Sequence, residues 1–143
     1  MQNFVPAEVW PDKVLLLPSA VRTEKPPLVL LVEDDQDTRE MYSEYLSHSG
    51  LRVTSAASAY RALERAHEQT PNVVVTDIAM PGMDGLELSR RLRSEPPTRD
   101  VPIIAVTGNP TARAREAGCD VVLEKPCDPD DLLHVIEDVL QKR

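Results

Sequence analysis

The stretch VVVTDIAMPGMDG, residues 73–85, decides the fold of this chain. Its run of valines is typical of a strand that is covered on both faces, as in a parallel sheet. The strand ends on a charge, Asp77, and a loop containing Pro81 and Gly82 follows before Asp84 opens a helix. An aspartate in this place is often only a turn residue. Whether Asp77 has a functional role therefore depends on which residues end the other strands.

The remaining sequence alternates between strand-like and helix-like segments. The strand-like segments are LVLLV, LRVTSAA, NVVVT, VPIIAVT and VVL. Four helices are predicted to start at a capping residue: Asp37, Ser58, Asp84 and Asp128. Glu40 and Glu87 complete capping boxes with Asp37 and Asp84, and Pro129 follows Asp128 in the first turn of its helix. A further short helix, the fourth along the chain, is predicted over 111–117. The first helix has an apolar stripe of Met41, Tyr42, Tyr45 and Leu46. Such alternation predicts the α/β class, a doubly wound parallel sheet of five strands with five helices on its two faces.

Composition limits the function classes. The 143 residues suffice for one domain, and a net charge of −8 argues against nonspecific nucleic-acid binding. The apolar runs are too short to span a bilayer, and no signal peptide is evident. With only Cys119 and Cys127, a reduced, cytoplasmic protein is expected. Four prolines over 1–26 predict an extended or disordered arm ahead of a domain at 27–143.

Polar groups stand at the carboxyl ends of four predicted strands. Residues 33–35 are acidic, and Asp77, Thr107 and Lys125 end or follow the other three strands. Each has an ordinary interpretation alone, as a helix cap, a strand residue or a solvated side chain. Because sites in open parallel sheets form at this edge, their shared position predicts a functional site.

Crowded carboxylates of this kind predict a cation and a phosphoryl group. Carboxylates that lie close together repel, and a hard divalent cation such as Mg²⁺ or Mn²⁺ relieves the repulsion. Mg²⁺ typically takes one or two carboxylates plus a phosphate oxygen. One carboxylate can then act as the nucleophile and form an acyl phosphate, while Lys125 neutralises a phosphoryl oxygen and Thr107 donates a hydrogen bond to another.

These residues carry a family resemblance. The set Glu33–Asp34, DIAMPGMDG (77–85), VTG (106–108) and EKP (124–126) closely resembles the receiver domain of two-component response regulators. The resemblance extends from about Leu28 to Leu140. It implies a flavodoxin-like fold whose five parallel strands have the order 2-1-3-4-5.

The resemblance also implies residue roles at the acidic end of the site. Asp77 is expected to be the phosphoacceptor and Asp34 the direct metal ligand, with Glu33 acting through metal-bound water. A register shifted by one residue would bring in Asp35 instead. The third protein ligand is expected to be the backbone carbonyl of Ala79.

The expected switch residues include one departure from the family pattern. Thr107 is expected to be the switch hydroxyl and Lys125 the phosphate-contacting lysine, with a cis bond to Pro126. The family usually has an aromatic residue three positions before the lysine, where this chain has Val122. The segment from Thr107 to Gly118 is also about one helical turn shorter than usual. The aromatic part of the usual output switch is therefore expected to be missing.

The function that follows is a stand-alone receiver. It is expected to accept a phosphoryl group from a histidine kinase or phosphotransferase, to control a partner protein, and to be a monomer or weak dimer without turnover of an external substrate. Two alternatives stay open. One is a phosphorylation-independent scaffold with this fold, and the other is an aspartyl-phosphate phosphatase, which would usually carry a second acid at position 79.

Overall fold

Five strands alternate with five helices along the chain. The structure is a computed structural model that describes Val9 and residues 11–13, 25–109 and 112–142. The strands are β1 (Leu28–Val32), β2 (Arg52–Ala56), β3 (Val73–Asp77), β4 (Ile103–Thr107) and β5 (Val121–Glu124). The helices are α1 (Gln36–His48), α2 (Ala59–Glu68), α3 (Gly85–Ser94), α4 (Ala112–Glu116) and α5 (Pro129–Gln141). The arm predicted over 1–26 lies almost entirely outside the described residues.

All strand pairs are parallel, and the sheet order is β2-β1-β3-β4-β5. The predicted fold class and strand order are therefore confirmed. The register places Asp77 opposite Val106, and Thr107 opposite Glu124. Because the carboxyl ends of β3, β4 and β5 are aligned in this way, the polar residues at those ends share one edge of the sheet.

The core lies in two layers, one on each face of the sheet. Successive residues of a strand point to opposite faces, so Leu30 and Val32 pack with α2, α3 and α4, whereas Val29 and Leu31 pack with α1 and α5. All five residues of β1, of β3 and of β4 are buried, as their continuous apolar sequence predicted. These three central strands form the rigid support of the site.

The helix starts follow the predicted caps with one correction. Ser58 caps α2 by accepting a hydrogen bond from Arg61 N, and Asp84 caps α3 by accepting one from Glu87 N. The cap predicted for α1 at Asp37 is wrong, because α1 begins two residues earlier. Asp128 takes the N-cap position of α5 as predicted, but its side chain makes no capping hydrogen bond.

The fourth helix is short, as expected, and covers one turn. The helix predicted over 111–117 is observed at Ala112–Glu116. Thr111 lies outside the described residues. The chain turns at Gly118, whose φ of +104° favours glycine. The guanidinium of Arg93 holds this turn by donating to the carbonyl oxygen of Gly118 at 3.1 Å and to Asp120 Oδ2 at 2.7 Å. The end of α4 is thereby tied to α3.

The buried face of α1 is narrower than its sequence predicted. Tyr42 and Leu46 are buried, and Tyr45 packs against the same cluster. Met41 does not belong to this face, because 41% of it is exposed. The helix therefore offers a matched pair of apolar residues, one buried and one facing solvent.

Truncating Leu46 should cost much more stability than truncating Met41. Leu46 is completely buried, so Leu46→Ala should lower the free energy of unfolding by about 2–5 kcal/mol. Met41→Ala should change the free energy of unfolding by about 0.5 kcal/mol or less, because Met41 is largely exposed. Leucine and methionine have similar helix propensities, so the two substitutions differ mainly in the burial that they remove. Urea denaturation of the two variants measures the difference. Equal losses would show that the described packing of α1 is wrong.

Candidate functional site

Three carboxylates meet at the carboxyl edge of the sheet. Asp77 is the last residue of β3, and Glu33 and Asp34 directly follow β1. One carboxylate oxygen of each lies within 4.8 Å of the others. Glu33 and Asp77 are buried, with 4% and 8% of their surface exposed, whereas Asp34 is exposed. The structure thus brings together the three predicted acidic residues, in a cleft that is open on the side of Asp34.

Lys125 supplies a positive charge on the buried side of this cluster. Its Nζ lies 3.1 Å from Asp77 Oδ2 and 3.5 Å from Glu33 Oε1. The backbone N–H of Lys125 donates to the carbonyl oxygen of Thr107 at 2.8 Å, which fixes the start of the loop after β5. The bond between Lys125 and Pro126 is cis, as the family resemblance predicted.

The charges of the cluster are incompletely balanced. Burial raises the pKa of the Glu33 carboxyl, and the neighbouring Asp34 and Asp77 carboxyl groups raise it further. Burial alone would lower the pKa of the Lys125 ammonium, but its hydrogen bond to Asp77 and the charges of Asp77 and Glu33 outweigh burial and raise that pKa. One ammonium faces three acids, so the site has room in its charge balance for a further cation.

Asp35 has a different task from its two acidic neighbours. Its Oδ2 accepts hydrogen bonds from the backbone N of Thr38 at 3.0 Å and from Thr38 Oγ1 at 2.6 Å. These two hydrogen bonds lower the pKa of the Asp35 carboxyl and make it the cap of α1. Asp35 N donates to Glu33 Oε2 at 3.2 Å. The geometry therefore favours the register with Glu33 and Asp34 in the cluster, and the predicted cap at Asp37 fails because Asp35 already fills that role.

The two remaining predicted residues lie beside Asp77. The backbone N of Ala79 donates to Asp77 Oδ1 at 3.3 Å. Thr107 is buried, with 4% of its surface exposed, and its Oγ1 accepts a hydrogen bond from Asn109 N at 3.1 Å. Each oxygen of Asp77 thus has its own partner: Oδ2 contacts the ammonium of Lys125, and Oδ1 accepts from the loop after β3.

Val122 occupies the position where an aromatic residue was expected. It is half-buried and packs on the layer formed with α2, α3 and α4, whereas its neighbours Val121 and Leu123 pack on the opposite layer. A valine in this place fills part of the core and has no large ring to reorient. That the switch lacks its aromatic part stays a prediction.

Gly85 is a positioning residue that sequence reasoning missed. A Cβ at this position would collide with the carbonyl oxygen of Asp77 and lie 2.9 Å from Ile78 Cα. The N–H of Gly85 also donates to the carbonyl oxygen of Ile78 at 2.9 Å. Glycine is a poor helix former, so its presence in the first turn of α3 was the available signal that another backbone passes close by.

Two residues of α1 also support the site without having been predicted. Arg39 Nη1 donates to the carbonyl oxygen of Glu33 at 2.9 Å and to that of Asp34 at 3.4 Å. The hydroxyl of Tyr42 donates to the carbonyl oxygen of Cys127 at 2.6 Å. These hydrogen bonds fix the loops after β1 and β5. An arginine or tyrosine on an amphipathic helix gives no sequence signal of such a contact.

An open pocket adjoins Asp77 on the side of α3 and α4. Its volume is about 570 Å³, and the residues that line it include Ala79, Thr107, Asn109 and Arg113. The pocket gives solvent and small groups access to the loop that follows the phosphoacceptor candidate. Thr107 and Ala79 are the predicted site residues that line it, whereas Asp77 and Lys125 do not.

Comparison with known proteins identifies the family. The profile described as "Response regulator receiver domain" matches residues 29–137. The chain belongs to the response regulator receiver family. That match covers every residue of the site and all five strands except the first residue of β1, Leu28. Among the described residues of this receiver domain, no helix combines the length and apolar character that crossing a bilayer would require.

Individual relatives agree with this assignment. The uncharacterized 14.6 kDa protein in the sodA1 3'region of Leptolyngbya boryana is 37% identical over 113 residues, which are 76% of this chain and 86% of that protein. Three other relatives, 32–39% identical, are longer, and the chain spans only 25–54% of their length.

Solved receiver structures have the same fold. The chemotaxis response regulator CheY4 of Vibrio cholerae superimposes with a TM-score of 0.76 at 29% identity, covering 80% of this chain and 98% of that one. The receiver domain of a sensor histidine kinase from Pseudomonas aeruginosa PAO1 gives 0.75 at 29% identity, with 81% and 98% covered. Its structure has a magnesium ion coordinated in the active site cleft.

Gly85→Ala should destabilise the protein, although alanine is the better helix former. The new Cβ would push against the backbone of Asp77 and Ile78, so the free energy of unfolding should fall by about 1–3 kcal/mol. Gly108→Ala is the matched control, because nothing lies within 4 Å of its added Cβ. Chemical denaturation of both variants measures the effect, and a Gly85→Ala variant as stable as the control would refute the close approach.

Proposed function

We propose that Asp77 accepts a phosphoryl group from a phosphohistidine on a histidine kinase or phosphotransferase. The observation that supports this most strongly is the placement of its carboxylate, which is buried beside two acids and held at 3.1 Å by the Lys125 ammonium. Membership of the receiver family supports the same role. Phosphorylation then changes the surface that a partner protein recognises.

The acidic cluster fits a hard divalent cation. Three carboxylate oxygens within 4.8 Å of one another form an oxygen donor set, and this chemistry favours Mg²⁺ or Mn²⁺. We propose that Asp34 and Asp77 hold the ion directly, that Glu33 holds it through water, and that the Ala79 carbonyl completes the protein ligands. When bound, the ion would neutralise charge on the phosphoryl oxygens. The magnesium ion in the Pseudomonas aeruginosa receiver domain supports this choice.

The residues of the chain have separate tasks in the transfer. A carboxylate oxygen of Asp77 forms the new bond to phosphorus, and the bond from phosphorus to the donor nitrogen breaks, with its electron pair leaving on the donor imidazole. Lys125 neutralises negative charge on the group that arrives. The hydroxyl oxygen of Thr107 accepts a hydrogen bond from Asn109 N. The hydroxyl proton can rotate to donate to a phosphoryl oxygen.

The alternatives have less support. A phosphatase acting on an external substrate would usually have a second acid two residues after the nucleophile, and here that residue is Ala79. A scaffold that has lost phosphorylation would not need the intact set of Glu33, Asp34, Asp77 and Lys125. We therefore propose a phosphoacceptor without turnover of an external substrate. Its net charge of −8 favours a protein target over direct nucleic-acid binding.

Incubation with Mg²⁺ and acetyl phosphate should add a single phosphoryl group to the protein. Intact-mass spectrometry measures the adduct, and both Asp77→Asn and a chelator should abolish it, because each removes a required part of the site. Continuous release of phosphate from an unrelated phosphoester would instead support the phosphatase. A wild-type protein that forms no adduct under any of these conditions would support the scaffold.

Two adjacent acids provide a matched test of the metal ligands. Asp34→Asn should weaken Mg²⁺ binding at least about tenfold, because it removes a charged ligand. Asp35→Asn should leave binding nearly unchanged, since asparagine caps helices as well as aspartate does. Isothermal titration calorimetry with MgCl₂ measures both. The reverse pattern would show that the register with Asp35 is the correct one.

A further inference from the structure

The pocket beside Asp77 contains a positive charge that the proposed transfer does not use. Its lining includes the apolar residues Ile78, Met80, Pro81 and Leu86. Of the described residues that line it, Arg113 is the only basic one. It lies on the first turn of α4 and shares the pocket with the loop that follows Asp77, whereas Lys125 does not line this pocket.

The guanidinium of Arg113 has no ion-pair partner among the described residues. In the same part of the chain, five arginines form such pairs, namely Arg61, Arg65, Arg90, Arg91 and Arg93. The acid that shares the pocket, Asp84, is engaged as the cap of α3 and accepts from Glu87 N at 2.9 Å. Arg113 is therefore free to pair with an anion that enters the pocket.

Phosphorylation would create such an anion. A phosphoryl group on Asp77 brings about two negative charges at neutral pH, and Glu33 and Asp34 add one each. A divalent cation and Lys125 together supply three positive charges. The loaded site would keep an excess negative charge beside the pocket, and an arginine suits it because its planar fork can bind phosphoryl oxygens in pairs.

Arg113 is also well placed to move α4. The next residue, Ala114, is completely buried in the layer that includes Val122. The far end of α4 is tied to α3 through Arg93 and Gly118. A contact made by Arg113 would therefore act on a short helix that packs directly on the core, without the aromatic residue that Val122 replaces.

We propose that Arg113 binds the phosphoryl group of phosphorylated Asp77 and couples phosphorylation to the position of α4. This inference rests on the proposed function, since it requires that Asp77 be phosphorylated. It assigns Arg113 as a second phosphoryl-binding cation of the site. It also gives the chain a switch contact of its own in place of an aromatic residue at position 122.

Binding of beryllofluoride, which imitates the phosphoryl group of an acyl phosphate, tests the proposal. In the presence of Mg²⁺, Arg113→Ala should weaken its binding about tenfold, as expected for the loss of a charge-assisted hydrogen bond. Arg113→Lys should lose less, because it keeps the charge. Arg115→Ala is the control on the same helix, since Arg115 is exposed and does not line the pocket. Calorimetry measures all four proteins.

Hydrogen–deuterium exchange gives the second readout. Beryllofluoride should slow amide exchange over residues 112–119 in the wild type and in Arg115→Ala, but not in Arg113→Ala at saturating ligand. Unchanged affinity and an unchanged exchange response in Arg113→Ala would overturn the role of Arg113 alone. Equal losses of beryllofluoride affinity in Arg113→Ala and Arg115→Ala would overturn it as well, because they would show that only the net positive charge of α4 matters. A wild-type protein that binds no beryllofluoride would overturn the proposed function and this inference together.

Discussion

The ion pair between Lys125 and Asp77 is the interaction on which the site depends. Burying a carboxylate is costly unless a positive charge or hydrogen bonds compensate for it, and here an ammonium at 3.1 Å provides that compensation. The pair joins the ends of β3 and β5, which are not neighbours in the sheet. The distance between the two side chains therefore depends on β4, which lies between these strands, and on the register of all three. It also depends on the loop after β5, which the hydroxyl of Tyr42 on α1 fixes by a hydrogen bond to Cys127. The second acid, Glu33, joins the pair at 3.5 Å. The third, Asp34, is left facing solvent, where the proposed cation would bind.

Much of this arrangement could be predicted from sequence, for a physical reason. Strands that are buried on both faces are largely apolar, so β1, β3 and β4 stand out as apolar runs, and polar residues are confined to the ends of β3 and β4. Parallel strands carry their carboxyl ends to one edge, so charged residues that follow such runs must come together. Local capping rules placed the starts of α2 and α3 correctly at Ser58 and Asp84. In these cases the local signal and the tertiary structure agree.

The errors and omissions lie where tertiary contacts decide between local options. Asp35 and Asp37 are both good caps, and the choice of Asp35 depends on its double hydrogen bond to Thr38. Met41 fits the apolar stripe of α1, but 41% of it stays exposed and it belongs to neither core layer. Gly85 matters only because the backbone of Asp77 passes beside it, and Arg113 only because α4 faces the pocket. The last three cases depend on how distant segments approach one another, which leaves no periodic trace in the sequence, whereas Asp35 and Thr38 are only three residues apart.

We propose that the geometry selects Asp77 from several nearby acids, and locating the phosphoryl group on the chain distinguishes among them. Borohydride reduces an aspartyl phosphate to homoserine, and tandem mass spectrometry of the digested protein can then identify the converted residue. We expect conversion at residue 77 alone, because only this acid is the buried partner of Lys125 at 3.1 Å. Conversion at Asp34, Asp35 or Asp84 in the wild-type protein would contradict it.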